Sequence, residues 1–164
     1  MKYTDGYVRR QDRLLSLEAA KGLLQRGEYG VLPRSDPTWG IYGIPLSYVW
    51  DGEAAVYSHC APDGKKSACL QQDPAASCCV VGVTHTIPEK FTTEYESIIL
   101  RGKASLKLSD EEHFKAMMLI VKKYCPGLDE MGLKYAQSSF HRTTVIRIDI
   151  EQWTGKCKDI TFRY

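Results

Sequence analysis

The sequence predicts a mainly β protein, a largely antiparallel β-barrel with a few helices packed around it. Extended segments with alternating or continuous apolar residues recur between residues 29 and 153. Turn and hairpin signals, Asp36-Pro37 and Asp51-Gly52, separate the early segments. The chain contains no Gly-x-Gly-x-x-Gly or Walker sequence, and nothing in it requires a parallel sheet. Closure into a barrel suits such a series of strands, because it leaves no exposed sheet edge.

The first helix is expected from Ser16 to about Arg26. Ser16 is a suitable N-cap, Glu18 lies in the first turn, and Gly27 ends the helix. An apolar stripe at helical spacing would face the core. It consists of Leu17, Ala20, Leu23 and Leu24.

Strands follow this helix. Residues 30–32 predict a short strand, and residues 41–50 predict a longer one that continues through a hairpin into residues 54–59. Residues 67–72 could form two helical turns before Asp73-Pro74. The continuous apolar run at residues 78–83 predicts a strand that is buried on both faces.

The second half of the chain begins with a long strand over residues 95–108. A capping box, Ser109 to Glu112, opens a helix that ends at Cys125-Pro126-Gly127. Phe114, Met117, Met118, Val121 and Tyr124 would form its inward face. Residues 128–142 are ambiguous and could hold one more short helix. Residues 144–153 predict the last strand, with Ile146, Ile148 and Ile150 on one face.

Composition points to a single globular domain over residues 1–164. The net charge of +2 is small, and no basic stripe suggests a nucleic acid partner. No apolar run has the length of a membrane span, and no hydrophobic segment follows the N-terminus. A cytoplasmic protein without a membrane partner is therefore expected.

The six cysteines do not indicate a disulfide framework or a metal site. They include no Cys-x-x-Cys pair, and together with the histidines they match no zinc spacing. A chain of this size without an export signal does not need disulfides. Reduced thiols and no bound metal are the expectation.

The segment from Tyr57 to Lys66 contains the clearest binding signal. An extended run leads into Pro62-Asp63-Gly64, and Lys65 and Lys66 follow immediately before a short helix. Cationic side chains and backbone N–H groups at a helix start form an anion site, which phosphate commonly fills. The alternative is that the two lysines are a solvated surface pair.

The chain resembles the flavin-binding split-barrel superfamily that includes pyridoxamine 5′-phosphate oxidase, and within it the nitroimidazole-resistance (Nim) branch. The resemblance covers nearly the whole chain, with its motifs in order and at compatible spacing. The matching segments are residues 9–13, 27–32, 42–49, 56–61, 64–66, 95–104 and 154–156.

This resemblance implies an FMN-dependent homodimer with the flavin in a groove at the subunit interface. The phosphate would be held by the lysine pair, and the flavin ring would lie along the strand that contains residues 45–47. The positions it assigns to FMN are Pro45, Leu46, Ser47, Ser58, His59, Lys65, Lys66 and Ser97. His59 is the candidate proton donor to a substrate that is being reduced.

The residues alone allow other interpretations at several of these positions. Pro45 within a strand is tolerated mainly at an edge or a bulge, so it could mark a simple edge strand. Ser97 could be a polar residue on an outer strand face, and His59 could be bonded to a backbone carbonyl. Tyr48 and Trp153 are expected to pack in the core rather than to stack on the flavin, although either could line the pocket.

Two segments depart from the family pattern. Residues 158–164 lack the Arg-x-His-type ending with which pyridoxamine phosphate oxidases hold the substrate phosphate, which argues against vitamin B6 oxidation. Residues 35–40 carry Pro37 and Trp39 where a plainer turn is expected. The leading expectation is an FMN-dependent reductase of small electron-poor aromatics such as nitro compounds. A non-catalytic FMN-binding module and a B6-type oxidase are the alternatives.

Overall fold

A computed structural model describes residues 1–4, 6 and 8–159. Over these residues, seven strands form one sheet in the order β1-β7-β4-β3-β2-β5-β6, and β6 pairs back with β7. This return pairing closes the sheet into a barrel, and all pairings are antiparallel except that of β1 with β7. The strands are β1 (Lys2–Tyr3), β2 (Tyr29–Asp36), β3 (Gly40–Trp50), β4 (Ala55–Cys60), β5 (Ala75–Ile87), β6 (Thr92–Ser105) and β7 (Thr144–Lys158). The predicted antiparallel barrel is confirmed.

Helices cover one end and one side of this barrel. The helices in the described ranges are α1 (Leu17–Arg26), α2 (Lys65–Gln72), α3 (Asp110–Tyr124) and α4 (Asp129–Ser139). The predicted bounds of α1 and its N-cap are confirmed, since Ser16 Oγ accepts a hydrogen bond from the backbone N–H of Ala19. Leu23 and Leu24 are fully buried, whereas Leu17 remains exposed. None of these helices is long and apolar enough to traverse a lipid bilayer.

Two clusters of buried side chains hold the elements together. The larger one fills the barrel and includes Tyr48 and Trp153, so the prediction that both rings serve packing is confirmed. The smaller one lies outside the barrel wall, where Val49, Tyr57 and Val145 meet the inner faces of α3 and α4. The helix pair therefore covers the outer face of β4 and of the adjoining parts of β3 and β7, and it leaves the outer face of β2, β5 and β6 open.

Several sequence-based expectations were wrong in detail. The strand predicted over residues 78–83 runs from Ala75 to Ile87, and only one of its faces is buried. Cys78 and Val80 point into the barrel, whereas Val81 and Val83 are exposed. A run of apolar residues cannot distinguish a strand buried on both faces from one whose second face awaits a partner.

The other differences concern element boundaries and the capping box. The strand expected at residues 30–32 runs from Tyr29 to Asp36, and its second half lacks an apolar signal because the buried positions there are occupied by the charged residues Arg34 and Asp36. The ambiguous residues after 128 form α4 and a short 3₁₀ turn. Ser109 caps α3, but the Glu112 carboxylate accepts from Tyr57 Oη and Arg147 instead of returning to the N-cap.

Candidate functional site

The site begins where the barrel wall opens between β3 and β4. β3 pairs with β2 from Gly40 to Ser47, but its pairing with β4 starts only at Tyr48. Along residues 40–47, β3 therefore has no β4 partner on its second edge. The Ser47 carbonyl oxygen accepts from Ser58 Oγ of β4, at 2.7 Å, so the backbone groups of Ser47 face this open edge.

Pro45 lies two residues before Ser47, and backbone groups two apart point to the same side of a strand. The missing N–H of Pro45 therefore falls on the open edge rather than in the ladder with β2, where Pro45 is paired with Val31. β3 is not a simple edge strand, since it lies between β2 and β4 in the sheet, but Pro45 lies in the part of it that has an unpaired edge. Such an edge offers unpaired backbone groups to a ligand, which is the arrangement that a flat heterocycle with polar ring atoms can use.

The predicted residues around this edge differ in where their side chains point. Ser47 lies on the outer side of the barrel wall, whereas Leu46 packs against the barrel core. Ser58 is buried, and its hydroxyl is engaged by Ser47. Leu46 and Ser58 thus shape the strand ends, and a ligand at the edge would meet their backbone rather than their side chains.

His59 lies on the outer face of β4 and lines a cavity of about 360 Å³ between the barrel wall and the helix pair. Ser47 lines the same cavity, together with Met117 and Tyr124 of α3 and Tyr135 of α4. The His59 imidazole has no hydrogen-bond partner among the described residues, so the expected alternative of a histidine satisfied by a backbone carbonyl is not what the structure contains. Its ring nitrogens are available to a bound molecule.

The lysine pair follows a turn that only glycine adopts easily. Gly64 has φ 147°, a conformation that side chains rarely tolerate, and it is the N-cap of α2. Lys65 is the first residue of this helix. Its Nζ lies 3.0 Å from Asp36 Oδ2 and 3.5 Å from the centroid of the Trp39 ring. Asp36 and Trp39, the two partners of Lys65, both belong to residues 35–40, the segment that departs from the family pattern.

The negative charge of the Asp36 carboxylate is stabilised by its contacts. Burial opposes its ionisation, but the contact with Lys65 and the backbone N–H groups of Trp39 and Thr38 outweigh this effect and lower the pKa of the carboxyl below 3.8. The carboxylate therefore holds Lys65 over the Trp39 ring at neutral pH.

Lys66 differs from its neighbour. It is half-buried, and it has neither an ion pair nor a hydrogen bond within the described part of the chain. A partly buried ammonium without a partner favours an added anion, because desolvation without a counter-charge is unfavourable. The first-turn N–H groups of α2 lie beside it. Glycine turn, helix start and unpartnered cation together fit a phosphate group.

Ser97 is not brought together with the other predicted residues. It lies on the outer face of β6 opposite Val81 of β5, and β5 and β2 separate it from β3. Three strand spacings of about 4.8 Å amount to about 14 Å of barrel wall. Within one chain, a ligand on the open edge of β3 would have to cross this distance to reach Ser97.

Sequence reasoning placed Tyr124 on the inward face of α3 but assigned no role in the site to it or to Lys123. Lys123 Nζ donates to the carbonyl oxygens of Gly27 and Tyr48, at 2.6 and 2.8 Å, and lies over the Tyr48 ring. Burial lowers the pKa of this amine to about 8, which the nearby Glu28 only partly offsets. Nothing in the sequence pattern distinguishes this lysine from the exposed Lys122 beside it.

Tyr124 completes this arrangement. Its hydroxyl accepts from the backbone N–H of Tyr48 and donates to the carbonyl oxygen of Glu28. Together, Lys123 and Tyr124 provide hydrogen-bond partners for the backbone of Tyr48, which lies just beyond the part of β3 that pairs with β2. They also line a second, polar cavity of about 710 Å³, which shares Ser47 and Tyr124 with the cavity beside His59.

The open β3 edge and the lysine turn can be compared with known proteins. A family model described as "Pyridoxamine 5′-phosphate oxidase" matches residues 16–157. The chain belongs to the pyridoxamine 5′-phosphate oxidase family. The resemblance inferred from the sequence motifs is thereby confirmed. The match spans α1 and all strands from β2 to β7, including every residue predicted to contact the cofactor. No match was found among curated proteins.

Solved structures show that this family member has the split-barrel fold. A 5-nitroimidazole antibiotic resistance protein of Bacteroides thetaiotaomicron is 17% identical, with a TM-score of 0.71 over 88% of this chain and 86% of that one. A conserved hypothetical protein of Mycobacterium tuberculosis is also 17% identical, with a TM-score of 0.74 over 90% and 88% of the two chains. An FAD- and heme-binding protein of Mycobacterium smegmatis is 13% identical, with a TM-score of 0.71 over 88% and 72%.

The C-terminal departure from the family pattern lies largely in residues 160–164, outside the described residues. The geometry of the site therefore rests on β3, β4, the turn before α2 and the helix pair.

Proposed function

We propose that this protein is an FMN-binding oxidoreductase that reduces small electron-poor aromatic molecules, with nitro compounds as the representative class. The observation that carries the proposal is Lys66 at the start of α2, which has no ion-pair or hydrogen-bond partner among the described residues and is close in sequence to the end of β4 and to His59. Membership of the family supports it, as does the structural similarity to a protein described as binding FAD and heme.

Lys66 and the N–H groups of the first turn of α2 would hold the phosphate. Gly64 permits the turn that brings these groups to one point. Lys65 would add its charge after leaving Asp36, or would remain paired and hold Trp39 beside the ligand. Both lysines therefore belong to the proposed phosphate site, with Lys66 as its main cation.

The open edge of β3 would orient the flavin ring through the backbone around Pro45, Leu46 and Ser47. When bound, FMN supplies the hydride or the electrons. His59 lies on the neighbouring strand, and its ring nitrogens have no hydrogen-bond partner in the part of the chain that the structure describes; it would donate a proton to the substrate. No side chain in this arrangement need act as a nucleophile.

We further propose that the protein is a homodimer. The outer face of β2, β5 and β6 is not covered by the helices, and Val81 and Ile99 are more than a third exposed on it. Ile41 at the start of β3 is 82% exposed on the same side. Pairing of two such faces would bury these side chains, and it would let Ser97 of one subunit approach the β3 edge of the other.

Two other functions remain as alternatives. A non-catalytic FMN module would use the same phosphate and edge contacts. A B6-type oxidase is disfavoured by the departure at residues 158–164. Whether the bound flavin is reduced and reoxidised distinguishes these functions more directly than any binding contact does.

Redox cycling of the purified protein tests the proposal. We expect FMN-loaded protein to lose its yellow colour with NADH or NADPH and to regain it when a nitroaromatic acceptor is added. His59→Gln should slow reoxidation by the acceptor by a larger factor than it weakens FMN binding. Flavin that binds but is never reduced, or that is reoxidised equally fast with His59→Gln, would contradict the assignment.

A further inference from the structure

Strand β2 carries two opposite charges on its inward face. The buried residues of this strand alternate with more exposed ones, and Leu32 packs in the barrel core. Arg34 and Asp36 continue the same face and are only 5% and 6% exposed. Charged side chains are almost never buried to this extent unless their polar atoms have partners. The partners of these two residues therefore indicate what they do.

The guanidinium group of Arg34 binds the C-terminal end of α2. Its Nη2 donates to the carbonyl oxygens of Cys69 and Asp73, at 3.1 and 2.5 Å, and its Nη1 donates to that of Ala75 at 2.6 Å. Cys69 lies in the last turn of α2, Asp73 is the C-cap, and Ala75 begins β5. One side chain thus fixes the point at which the helix ends and the next strand starts.

These hydrogen bonds also suit the charge of the helix end. The last carbonyl oxygens of a helix have no partner within it, and they carry a partial negative charge that favours a nearby cation. Arg34 forms no ion pair with a carboxylate in the part of the chain that the structure describes. Its direct electrostatic partners are therefore the carbonyl groups that it holds.

Helix α2 needs such contacts to keep its direction. It has only eight residues, a length at which a helix is not stable by itself, and its N-cap Gly64 offers no side-chain hydrogen bond. Leu70 packs it against the core, and Asp36 holds its first residue, Lys65, at 3.0 Å. Because Arg34 and Asp36 lie two positions apart on β2, one strand fixes both ends of the helix that begins with Lys65 and Lys66.

We infer that Arg34 is a positioning residue of the proposed phosphate site: it fixes the C-terminal end of α2, so that the other end directs Lys66 and the first-turn N–H groups to one point. This inference deepens the proposed function and rests on it, because it places the FMN phosphate at this turn. Arg34 acts through α2, since an eight-residue helix about 12 Å long separates its bonded carbonyls from the first turn.

The ratio of FMN affinity to riboflavin affinity tests this role, because only FMN uses the phosphate site. Titrations followed by flavin fluorescence should give a ratio at least about fivefold lower for Arg34→Gln than for wild type, a part of the roughly 10- to 150-fold that a phosphate contact contributes. Arg34→Lys keeps the charge but loses the planar fork, and it serves as the second variant if Arg34→Gln does not fold. It should lower the ratio in the same direction by a smaller factor. An equal loss for both ligands would mean that Arg34 only stabilises the fold, and would overturn the inference.

Arg147→Gln is the matched control. Arg147 also forms three hydrogen bonds from its guanidinium group, but they go to Glu112 and Asp149 and do not involve α2. The variant should lower the urea midpoint and leave the affinity ratio unchanged. A ratio that falls as much in Arg147→Gln as in Arg34→Gln would contradict a specific role of Arg34.

A double-mutant cycle with Lys66→Ala shows whether Arg34 acts through the phosphate site. In the Lys66→Ala background, Arg34→Gln should lower the ratio by a much smaller factor, because the main contact that Arg34 positions is already absent. The same factor in both backgrounds would overturn the inference. A wild-type protein that binds FMN no better than riboflavin would remove the phosphate site and the inference together. A high wild-type ratio that Arg34→Gln leaves intact would remove the inference alone.

Discussion

At the residue scale, the contacts of Asp36 explain how a departure from the family pattern is accommodated. Its Oδ1 accepts from the backbone N–H groups of Thr38 and Trp39, at 2.9 and 2.7 Å, and Oδ2 pairs with Lys65. One carboxylate thus forms the β2–β3 turn and fixes the start of α2. The turn was visible in the sequence, but its link to Lys65 was not, because the two residues lie on different elements.

Asp36→Asn is expected to lower stability at neutral pH. The amide oxygen can still accept from the turn, but the ion pair with Lys65 is lost. Because the pKa of Asp36 is lowered in the folded protein, its contribution is present above pH 3.8 and disappears as the pH falls towards the folded value. Urea midpoints measured between pH 2.5 and pH 7 should therefore differ between wild type and variant at pH 7 and converge in acid.

Asp63→Asn is the control for this experiment, since Asp63 is an exposed residue of the turn before α2. It should leave the urea midpoint nearly unchanged across the range. A gap for Asp36→Asn that persists at pH 2.5 would mean that the ion pair is not its source.

At the element scale, α3 connects the barrel wall with both cavities. Its N-terminus is capped by Ser109 Oγ, which accepts from the N–H of Glu112 at 3.2 Å. The Glu112 side chain then bonds to Tyr57 of β4 and to Arg147 of β7, at 2.9 and 2.6 Å. Burial is the main cause that raises the pKa of Tyr57 to about 12, and the hydrogen bond to Glu112 adds to this effect. The first turn of the helix is thereby fixed to two strands.

Ser109→Ala should destabilise the protein by about 1 kcal/mol, the usual cost of removing an N-cap hydroxyl. Chemical denaturation of wild type and variant measures this difference. Ser138→Ala is the matched control, because this exposed hydroxyl on α4 bonds only to a carbonyl one turn earlier in its own helix. A loss as large for Ser138→Ala as for Ser109→Ala would remove the capping explanation.

At the scale of the whole molecule, the sequence predicted the barrel but not the cavities. Turn residues and alternation are local signals, so α1, the β3–β4 hairpin and the cap of α3 could be found from the sequence. The placement of Lys123 under β3 and the approach of α4 to His59 depend on contacts between distant segments. The open β3 edge was indicated by Pro45, because a proline within a strand has a specific structural consequence.

The proposed homodimer is also a property of the whole molecule. Ile99→Lys would place a charge on the outer face of β6, which the proposed interface buries, and should convert the dimer into a monomer because the lysine would be desolvated there. Light scattering at saturating FMN measures the mass. Met131→Lys, on an exposed position of α4, should keep the dimer. A wild-type protein that is monomeric under these conditions would refute the proposal.

The most direct test of the central claim is a comparison of FMN and riboflavin binding to wild type and Lys66→Ala. A charge-assisted contact with phosphate contributes about 1.5–3 kcal/mol, so the variant should bind FMN roughly 10- to 150-fold more weakly. Riboflavin lacks the phosphate and should bind both proteins almost equally. Lys115→Ala, which removes an exposed lysine of α3, should leave both affinities unchanged. Unaltered FMN affinity in Lys66→Ala, or an equal loss for riboflavin, would contradict the phosphate site.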